Sequence, residues 1–443
     1  MNVGGTLVAG PAKSGLSGVV SIPGDKSMSH RAIMLAALAD GTTEIHGFLP
    51  GEDCLATATM FTQMGVTIDW LNDDKTSLRV HGVGLHGLKK PETTLDAGNS
   101  GTCVRLMMGV LAGQAFESHI TGDASLQARP MQRVADPIRQ MGASVTGNDD
   151  LLPLTIQGGK LKGIQHISKI ASAQVKSCVL LAALFAENET TVSEPRPTRD
   201  HTERMLPLFG QPVRVDRNGV IHLLPTGKLT APNEPVYIPA DPSSATFFAV
   251  AASLVKHSDI TLQRIGMNPL RNGWKRILSD MNGDMCLQHE VLVGQESVAD
   301  IHVLYRDLHG IAVNPADVPD AIDEFPVLFA AASLSDGVFI LSEAEELRVK
   351  ESDRIAVMAA ALQAAGANIE EKPDGVKIIG GKLHGDCTIN ACGDHRIAMA
   401  MAVAAQCAEI EIHIENSASI ATSFPDFVPL AQSLGMNIHW ADC

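Results

Sequence analysis

The chain has 443 residues, enough to bury a large core in two or three domains. Its 45% apolar and 19% charged content is that of a soluble globular protein, and a net charge of −16 with 4% aromatics argues against a nucleic-acid partner. The start, MNVGGTLVAGPAKSG, holds no apolar run of signal-peptide type, no apolar stretch is long enough to span a bilayer, and the eight cysteines form no C-x-x-C pair. A cytoplasmic protein with reduced, buried thiols is expected. The sixteen histidines show no ligand spacing, so no metal site is expected.

In chain order, the first prominent element is IPGDKSMSHRAIMLAALADG (22–41), a charged head followed by an almost wholly apolar helix. The same arrangement returns in DAGNSGTCVRLMMGVLAG (96–113), ASAQVKSCVLLAALFAE (171–187), PADPSSATFFAVAASLV (239–255), DAIDEFPVLFAAASLSDG (320–337) and GDHRIAMAMAVAAQCAE (393–409). With heads at Ser27, Ser100, Ser172, Ser243, Asp323 and Asp394, the steps are 73, 72, 71, 80 and 71 residues. Six units of about 74 residues therefore account for the chain.

A second, amphipathic helix follows each buried one: CLATATMFTQMGVTI, MQRVADPIRQMGASV, HTERMLPLFGQPVRV, GWKRILSDMNGDMCL, DRIAVMAAALQAAGANI and FVPLAQSLGMNI. Nearly all end in a glycine suited to a left-handed closing residue. Asp200 with Glu203 reads as a capping box, and Pro130 suits a first helical position. Pro137, Pro207 and Pro429 imply kinked or shortened helices. TTEIHGF, SLRVHGV, HITGDA, LTIQGG, TVSEP and VKIIGG read as strands between them. The Pro-rich segment 225–240 falls mid-chain, which suggests two lobes of three repeats each.

Buried helices with charged heads make anion sites, because their N-termini carry unsatisfied N–H groups and partial positive charge. Lys26, Arg31, Lys176, His395 and Arg396 sit in the heads, and Arg105, Arg129, Arg199, Arg348, Lys350 and Arg354 in or near them. In an acidic protein this points to one or more phosphate or carboxylate ligands. Ordinary ion pairing, Asp25 with Lys26 or Arg31 and Glu351 with Arg354, is the plainer alternative. GDKS is not a nucleotide-binding loop, since Asp25 separates Gly24 from Lys26, Gly18 is one residue too far upstream of Gly24, and the wrapping glycines are missing.

PGDKSMSHRA, LDAGNSGTCVRL, GDASLQARPM, SAQVKS, RDHTE, ELRVKESDR, GDHRIAMA and TSFPDF occur in that order. Together they resemble the 5-enolpyruvylshikimate-3-phosphate synthases of the enolpyruvyl transferase family over essentially the whole chain. SAQVK and RDHTE are similar to the second class of these synthases, which contains glyphosate-tolerant members. The resemblance implies an α/β fold of two lobes, each of three βαβαββ repeats, forming an inside-out α/β barrel. The lobes implied are 1–21 plus 240–443 and 22–239, with the active site in the cleft between them and lobe closure excluding water. It also implies transfer of the enolpyruvyl group of phosphoenolpyruvate to the 5-hydroxyl of shikimate 3-phosphate, releasing phosphate, without metal, nucleotide or other cofactor. A monomer with no nucleic-acid or membrane partner is expected.

Residue by residue, the resemblance assigns Lys26, Ser27, Arg31, Ser172, Ala173, Gln174, Arg199, Asp323 and Lys350 to shikimate 3-phosphate. Lys26, Gly101, Arg129, Gln174, Arg354 and Arg396 fall to phosphoenolpyruvate, with Asn99 and Arg105 near its rim. Asp323 would be the general base; Glu351 and Lys26 both stand as donors of the methylene proton. Three departures from the best-known pattern are visible: Thr422 where some relatives have Lys, Ala173 where some have Ser, and Glu346 where some have Asn. Tolerant relatives carry Ala where this chain has Gly101, so inhibition by glyphosate is expected. Two rival readings are an enolpyruvyl transferase acting on UDP-N-acetylglucosamine and a non-catalytic six-repeat anion-binding protein. The first would show Lys–Asn in place of Lys26–Ser27 and a cysteine in the loop read here as ASLQARPM.

Overall fold

The computed structural model describes residues 5–384, 387–408 and 411–441. The chain forms two compact units, 24–238 and, from both ends of the sequence, 1–23 with 239–443. Each has its own apolar core and three sheets. Among the described residues no helix is long and apolar enough to cross a membrane.

The six apolar helices form as their composition predicts: α1 Lys26–Ala37, α2 Gly101–Ala112, α3 Ala173–Ala183, α4 Pro242–Leu254, α5 Phe325–Ser333 and α6 His395–Cys407. Twelve of the thirteen residues of α4, and twelve of the thirteen of α6, are buried. Helices without a polar face survive only inside a core, and here three share each unit's interior. Helices α2 and α3 meet backbone to backbone: a Cβ on Gly109 would lie 2.3 Å from the Cys178 carbonyl oxygen.

In four of the six repeats the amphipathic helix is the shorter one; Glu52–Gln63 equals α1 at 12 residues, and Arg354–Ala364 exceeds α5, 11 residues to 9. Gln132–Met141 buries Val134, Ala135, Pro137, Ile138 and Met141 along one stripe. Gly65, Gly142, Gly210, Gly366 and Gly435 follow five of these helices with positive φ; after the fourth, Asn282 (φ 79°) takes that role ahead of Gly283. The anticipated shortening holds, with His201–Met205 reduced to five residues and Phe427–Ser433 to seven. Pro130 lies just outside its helix, whose N-cap is Met131. The Asp200–Glu203 capping box does not form: Asp200 pairs with Arg204 at 2.8 Å and Glu203 with Lys176 at 2.9 Å. An ammonium buried on α3 outbids the exposed cap for the Glu203 carboxylate.

Five of the repeats are βαβ crossovers onto a parallel strand, continued by antiparallel strands; in the fifth repeat the parallel contact is reduced to the isolated bridges His309–Asp336 and Ala312–Ile340. In the second repeat, Leu95–Asp96 runs parallel to Glu117–Thr121 across α2, and Leu154–Gln157 and Ser144–Thr146 extend the sheet. Two repeats borrow their first strand. Ser17–Ser21, which precedes α1, pairs in parallel with Asp259–Gly266 after α4. Leu229–Thr230 and Val236–Tyr237, which precede α4, pair in parallel with Ala39–His46 after α1. The sixth repeat is completed from the other end of the chain: Leu7–Gly10 inserts between Ile412–Glu415 and Asn437–Trp440.

Candidate active site

The head residues are arranged by helix capping. Asp25 Oδ1 accepts from the Met28 N–H at 2.9 Å, Ser100 Oγ from Cys103 at 3.1 Å, and Ser172 Oγ from Val175 at 3.5 Å. Asp241 and Asp394 cap α4 and α6 through Ser243 and Arg396 at 2.8 and 2.9 Å. One donor of each of these five mouths is thereby satisfied, and their first-turn side chains are held in fixed directions, whereas α5, with Glu324 at its N-cap, has no side-chain cap.

In the unit 24–238, the mouths of α1, α2 and α3 carry cations, hydroxyls and amides. Lys26 Nζ pairs with Asp53 at 3.0 Å. Arg31, 3% exposed, donates to Thr202 Oγ1, Ser177 Oγ and the Ser27 carbonyl at 2.8, 2.6 and 2.8 Å. Arg129 donates to Asn99 Oδ1 at 2.9 Å and Ser125 Oγ at 3.1 Å, while Asn99 donates to Asp123 at 2.7 Å. Arg105 donates to Gln174 Oε1 at 2.5 Å, and Gln174 in turn to Thr102 Oγ1 at 3.0 Å. Gly101 lies beside both arginines: a Cβ there would be 3.2 Å from Arg105 Nη1 and 3.4 Å from Arg129 Nη1. Ser172, Ala173 and Gln174 are half-buried at the start of α3, and Arg199 is half-buried on the loop before His201–Met205.

Two groups behind these mouths have other duties. Lys176 is 2% exposed and gives its three ammonium protons to Glu194, Glu203 and the Thr198 carbonyl, each at 2.9 Å. It is therefore a structural cation and not the open one its place in a head suggested. Burial works against its charge, but Glu203 and Glu194 outweigh that and keep its pKa above the ordinary value. His30, a buried residue of α1, contacts Thr57 Oγ1 at 2.7 Å and Ser100 Oγ at 3.4 Å. Burial, then Lys26 and Arg31, push its pKa well below the usual value, so the ring is neutral.

The other unit presents carboxylates. Asp323 Oδ1 is 3.1 Å from Arg354 Nη1 and 3.5 Å from Lys350 Nζ, and the Asp323 carbonyl accepts from Arg396 at 2.7 Å. Arg354, 1% exposed, also reaches Glu351 at 2.5 Å and Asp394 at 2.8 Å. Ser352 donates to Asp394 at 3.0 Å. Burial would raise the Asp394 carboxyl, yet Arg354 holds it below the usual carboxylate range; three carboxylates likewise keep the buried Arg354 charged. Beneath this cluster Glu324 accepts from Ser243 and lies 3.5 Å from Arg396, while Arg271 donates to Ser243 and Asp241 at 2.7 and 3.1 Å.

A family model described as EPSP synthase (3-phosphoshikimate 1-carboxyvinyltransferase) matches residues 11–430. The chain belongs to the EPSP synthase family. It is 51% identical over 435 residues to the 3-phosphoshikimate 1-carboxyvinyltransferase of Methylococcus capsulatus, covering 98% of each chain. Among solved structures, the EPSP synthase of Acinetobacter baumannii matches with a TM-score of 0.87 at 45% identity, over 99% of this chain and 100% of that one. The enolpyruvyl transferase NikO of Streptomyces tendae shares the fold at 14% identity, with a TM-score of 0.80 and the same coverage.

Within that family frame, the sequence-assigned residues fall into two groups. Lys26, Ser27, Arg31, Asn99, Gly101, Arg129, Ser172, Ala173, Gln174 and Arg199 lie in one unit; Asp323, Lys350, Glu351, Arg354 and Arg396 lie in the other. Thr422 is turned to the Ser419 carbonyl at 2.7 Å. The partners that sequence reasoning missed are Asp53, Thr202, Ser177, Asp394 as a ligand of Arg354, and Glu324. Asp394, Ser177, Thr202 and Glu324 lie inside the GDHR, SAQVKS, RDHTE and DAIDEF segments, but which cation each one meets had to await the packing. Asp53, on Glu52–Gln63, carried no signal. Chemically, the first unit offers forked donors and dipoles suited to phosphate and carboxylate groups. The second offers carboxylates poised between cations, suited to moving protons.

Proposed function

We propose that the protein transfers the enolpyruvyl group of phosphoenolpyruvate to the 5-hydroxyl of shikimate 3-phosphate, releasing inorganic phosphate, and that both units' groups act in this one reaction. Family membership supports the substrates. The observation that carries the mechanism is the Asp323 carboxylate held 3.1 Å from Arg354 and 3.5 Å from Lys350 at the mouth of a buried helix. Two cations hold such a carboxylate in a fixed direction, placed to take the hydroxyl proton as oxygen attacks C2 of phosphoenolpyruvate. The methylene carbon gains a proton in the same addition, from Glu351 or Lys26. The resulting tetrahedral adduct then loses that methyl proton and phosphate, so the double bond is regenerated.

Lys26, Ser27, Arg31, the 172–174 turn and Arg199 are assigned to shikimate 3-phosphate, with Lys350 at its reacting hydroxyl. Gly101, Arg129, Arg354 and Arg396 are assigned to phosphoenolpyruvate, with Asn99 and Arg105 beside it and Lys26 and Gln174 touching both substrates. Arg354 has a further task, since the three carboxylates it binds include both the base and one candidate acid. Cationic donors stabilise the charge that develops on the departing phosphate. Gly101 leaves space beside Arg105 and Arg129, so glyphosate is an inhibitor in this reading. The test is phosphate release by the purified protein: it requires both substrates, and Asp323→Asn lowers kcat by about a hundredfold or more while shikimate 3-phosphate still binds. Release from phosphoenolpyruvate alone, or an Asp323→Asn variant with kcat near wild type, refutes the assignment.

A further inference from the structure

One edge of the buried Arg31 guanidinium is held by hydroxyls. Arg354 and Arg271 are gripped by carboxylates, at 2.8 Å from Asp394 and 3.1 Å from Asp241. The Nε and Nη2 edge of Arg31 instead meets two hydroxyls, Thr202 Oγ1 at 2.8 Å and Ser177 Oγ at 2.6 Å. Those hydroxyls are themselves hydrogen-bonded, Thr202 donating to Ser177 at 2.8 Å. The pair occupies the fork as the two oxygens of a carboxylate would, but contributes dipoles and no cancelling charge. A carboxylate at this edge would fix the side chain equally well but would add a negative charge beside it.

The pair is anchored from behind. Ser177 follows Lys176 on α3, and Glu203 follows Thr202 on His201–Met205. Ser177–Thr202 and Lys176–Glu203 are thus two adjacent rungs, at 2.8 and 2.9 Å. Lys176 also binds Glu194 and the Thr198 carbonyl, so the whole stretch 194–203 is tied to α3. All four rung residues are buried.

We propose that Thr202 and Ser177 are positioning residues that fix the Arg31 guanidinium for shikimate 3-phosphate without quenching its charge. This rests on the assignment of Arg31 to that substrate. They touch Arg31 and not the reacting atoms, so their effect falls on the binding of one substrate.

The test uses steady-state phosphate release by the full-length protein, with the two substrates varied separately. Thr202→Val keeps the shape and removes the hydroxyl, and raises KM for shikimate 3-phosphate about tenfold, the value of one hydrogen bond to a charged group. KM for phosphoenolpyruvate and kcat stay within about threefold, since Arg31 meets only the other ligand. Thr202→Ser, which restores the hydroxyl, returns KM to within about twofold of wild type. Ser177→Ala reports on the same edge independently should Thr202→Val fail to fold. An unchanged KM for shikimate 3-phosphate in both hydroxyl-deleted variants, equal rises for the two substrates, or no rescue by Thr202→Ser overturns the proposal alone. A wild-type protein whose phosphate release is independent of shikimate 3-phosphate overturns the functional reading, and the proposal with it.

Discussion

Gly101→Ala separates the two ligands expected at the mouth of α2. The added methyl would lie 3.2 Å from Arg105 Nη1 and 3.4 Å from Arg129 Nη1, and no backbone atom is closer. Both contacts are with the ends of long side chains, so relief takes a shift of a few tenths of an ångström. The position is also the first of a helix, where alanine is favoured over glycine. Global stability therefore changes by less than about 1 kcal/mol. Displacing Arg129 slightly weakens phosphoenolpyruvate, with KM rising about threefold to tenfold. Glyphosate is longer and would have to share the space the methyl fills. Overpacking of that kind costs about 1–3 kcal/mol, a rise of roughly 5- to 150-fold in the inhibition constant. The assay is the initial rate of phosphate release against phosphoenolpyruvate at several glyphosate concentrations, for wild type and variant. Equal factors for substrate and inhibitor would refute the steric argument, as would a large fall in the unfolding midpoint.

Other predictions reach different parts of the molecule. Asp323→Asn keeps the contacts of the Asp323 carbonyl but removes the base, so kcat falls by about 10²- to 10⁴-fold, with shikimate 3-phosphate binding retained by calorimetry. Gly109→Ala drives a methyl into the Cys178 carbonyl, a backbone atom that cannot step aside, and lowers stability in urea by about 1–3 kcal/mol. Deleting residues 1–10 removes an inner strand that pairs on both sides and buries Leu7 and Ala9 completely. The truncated chain then loses cooperative unfolding of unit 1–23 with 239–443, and a wild-type urea transition would contradict the topology. Asp394 gives a signed pH effect. Its folded pKa lies below its unfolded value, so its stabilisation is complete above about pH 4 and is lost as pH falls through the depressed folded value. In urea titrations Asp394→Asn is less stable than wild type at neutral pH, and the gap narrows on acidification; a constant gap would refute the ion-pair account.

The architecture was largely legible because its signals are local and repeated. Helices such as Pro242–Leu254 and His395–Cys407 are apolar on every face, and only burial explains that. Closing glycines and the short helices at Pro207 and Pro429 were also readable, whereas Gln132–Met141 runs through Pro137. Long-range pairings were not. Nothing local in Ser17–Ser21 says that it pairs with a strand some 240 residues away, or that Leu7–Gly10 completes the last repeat. The hairpin Asp284–Val293 with Glu296–Leu304 was missed because its first strand is largely solvent-exposed and its apolar residues do not alternate regularly with polar ones. At the site, cations at helix mouths were visible as a set, but their allegiances were not. Lys176 and Arg31 look alike in sequence, each in the first turns of an apolar helix. One is consumed by two glutamates and the other is held by hydroxyls, a difference set by residues 194–203 that only the fold brings near.

The most direct test of the central claim is phosphate release from phosphoenolpyruvate by the purified protein, with shikimate 3-phosphate or, separately, UDP-N-acetylglucosamine as acceptor. Turnover that requires shikimate 3-phosphate and is absent with the sugar nucleotide is the predicted result. Release only with the sugar nucleotide would keep the chemistry but contradict the acceptor, and release with neither would contradict the catalytic roles given to Asp323, Lys350 and Glu351.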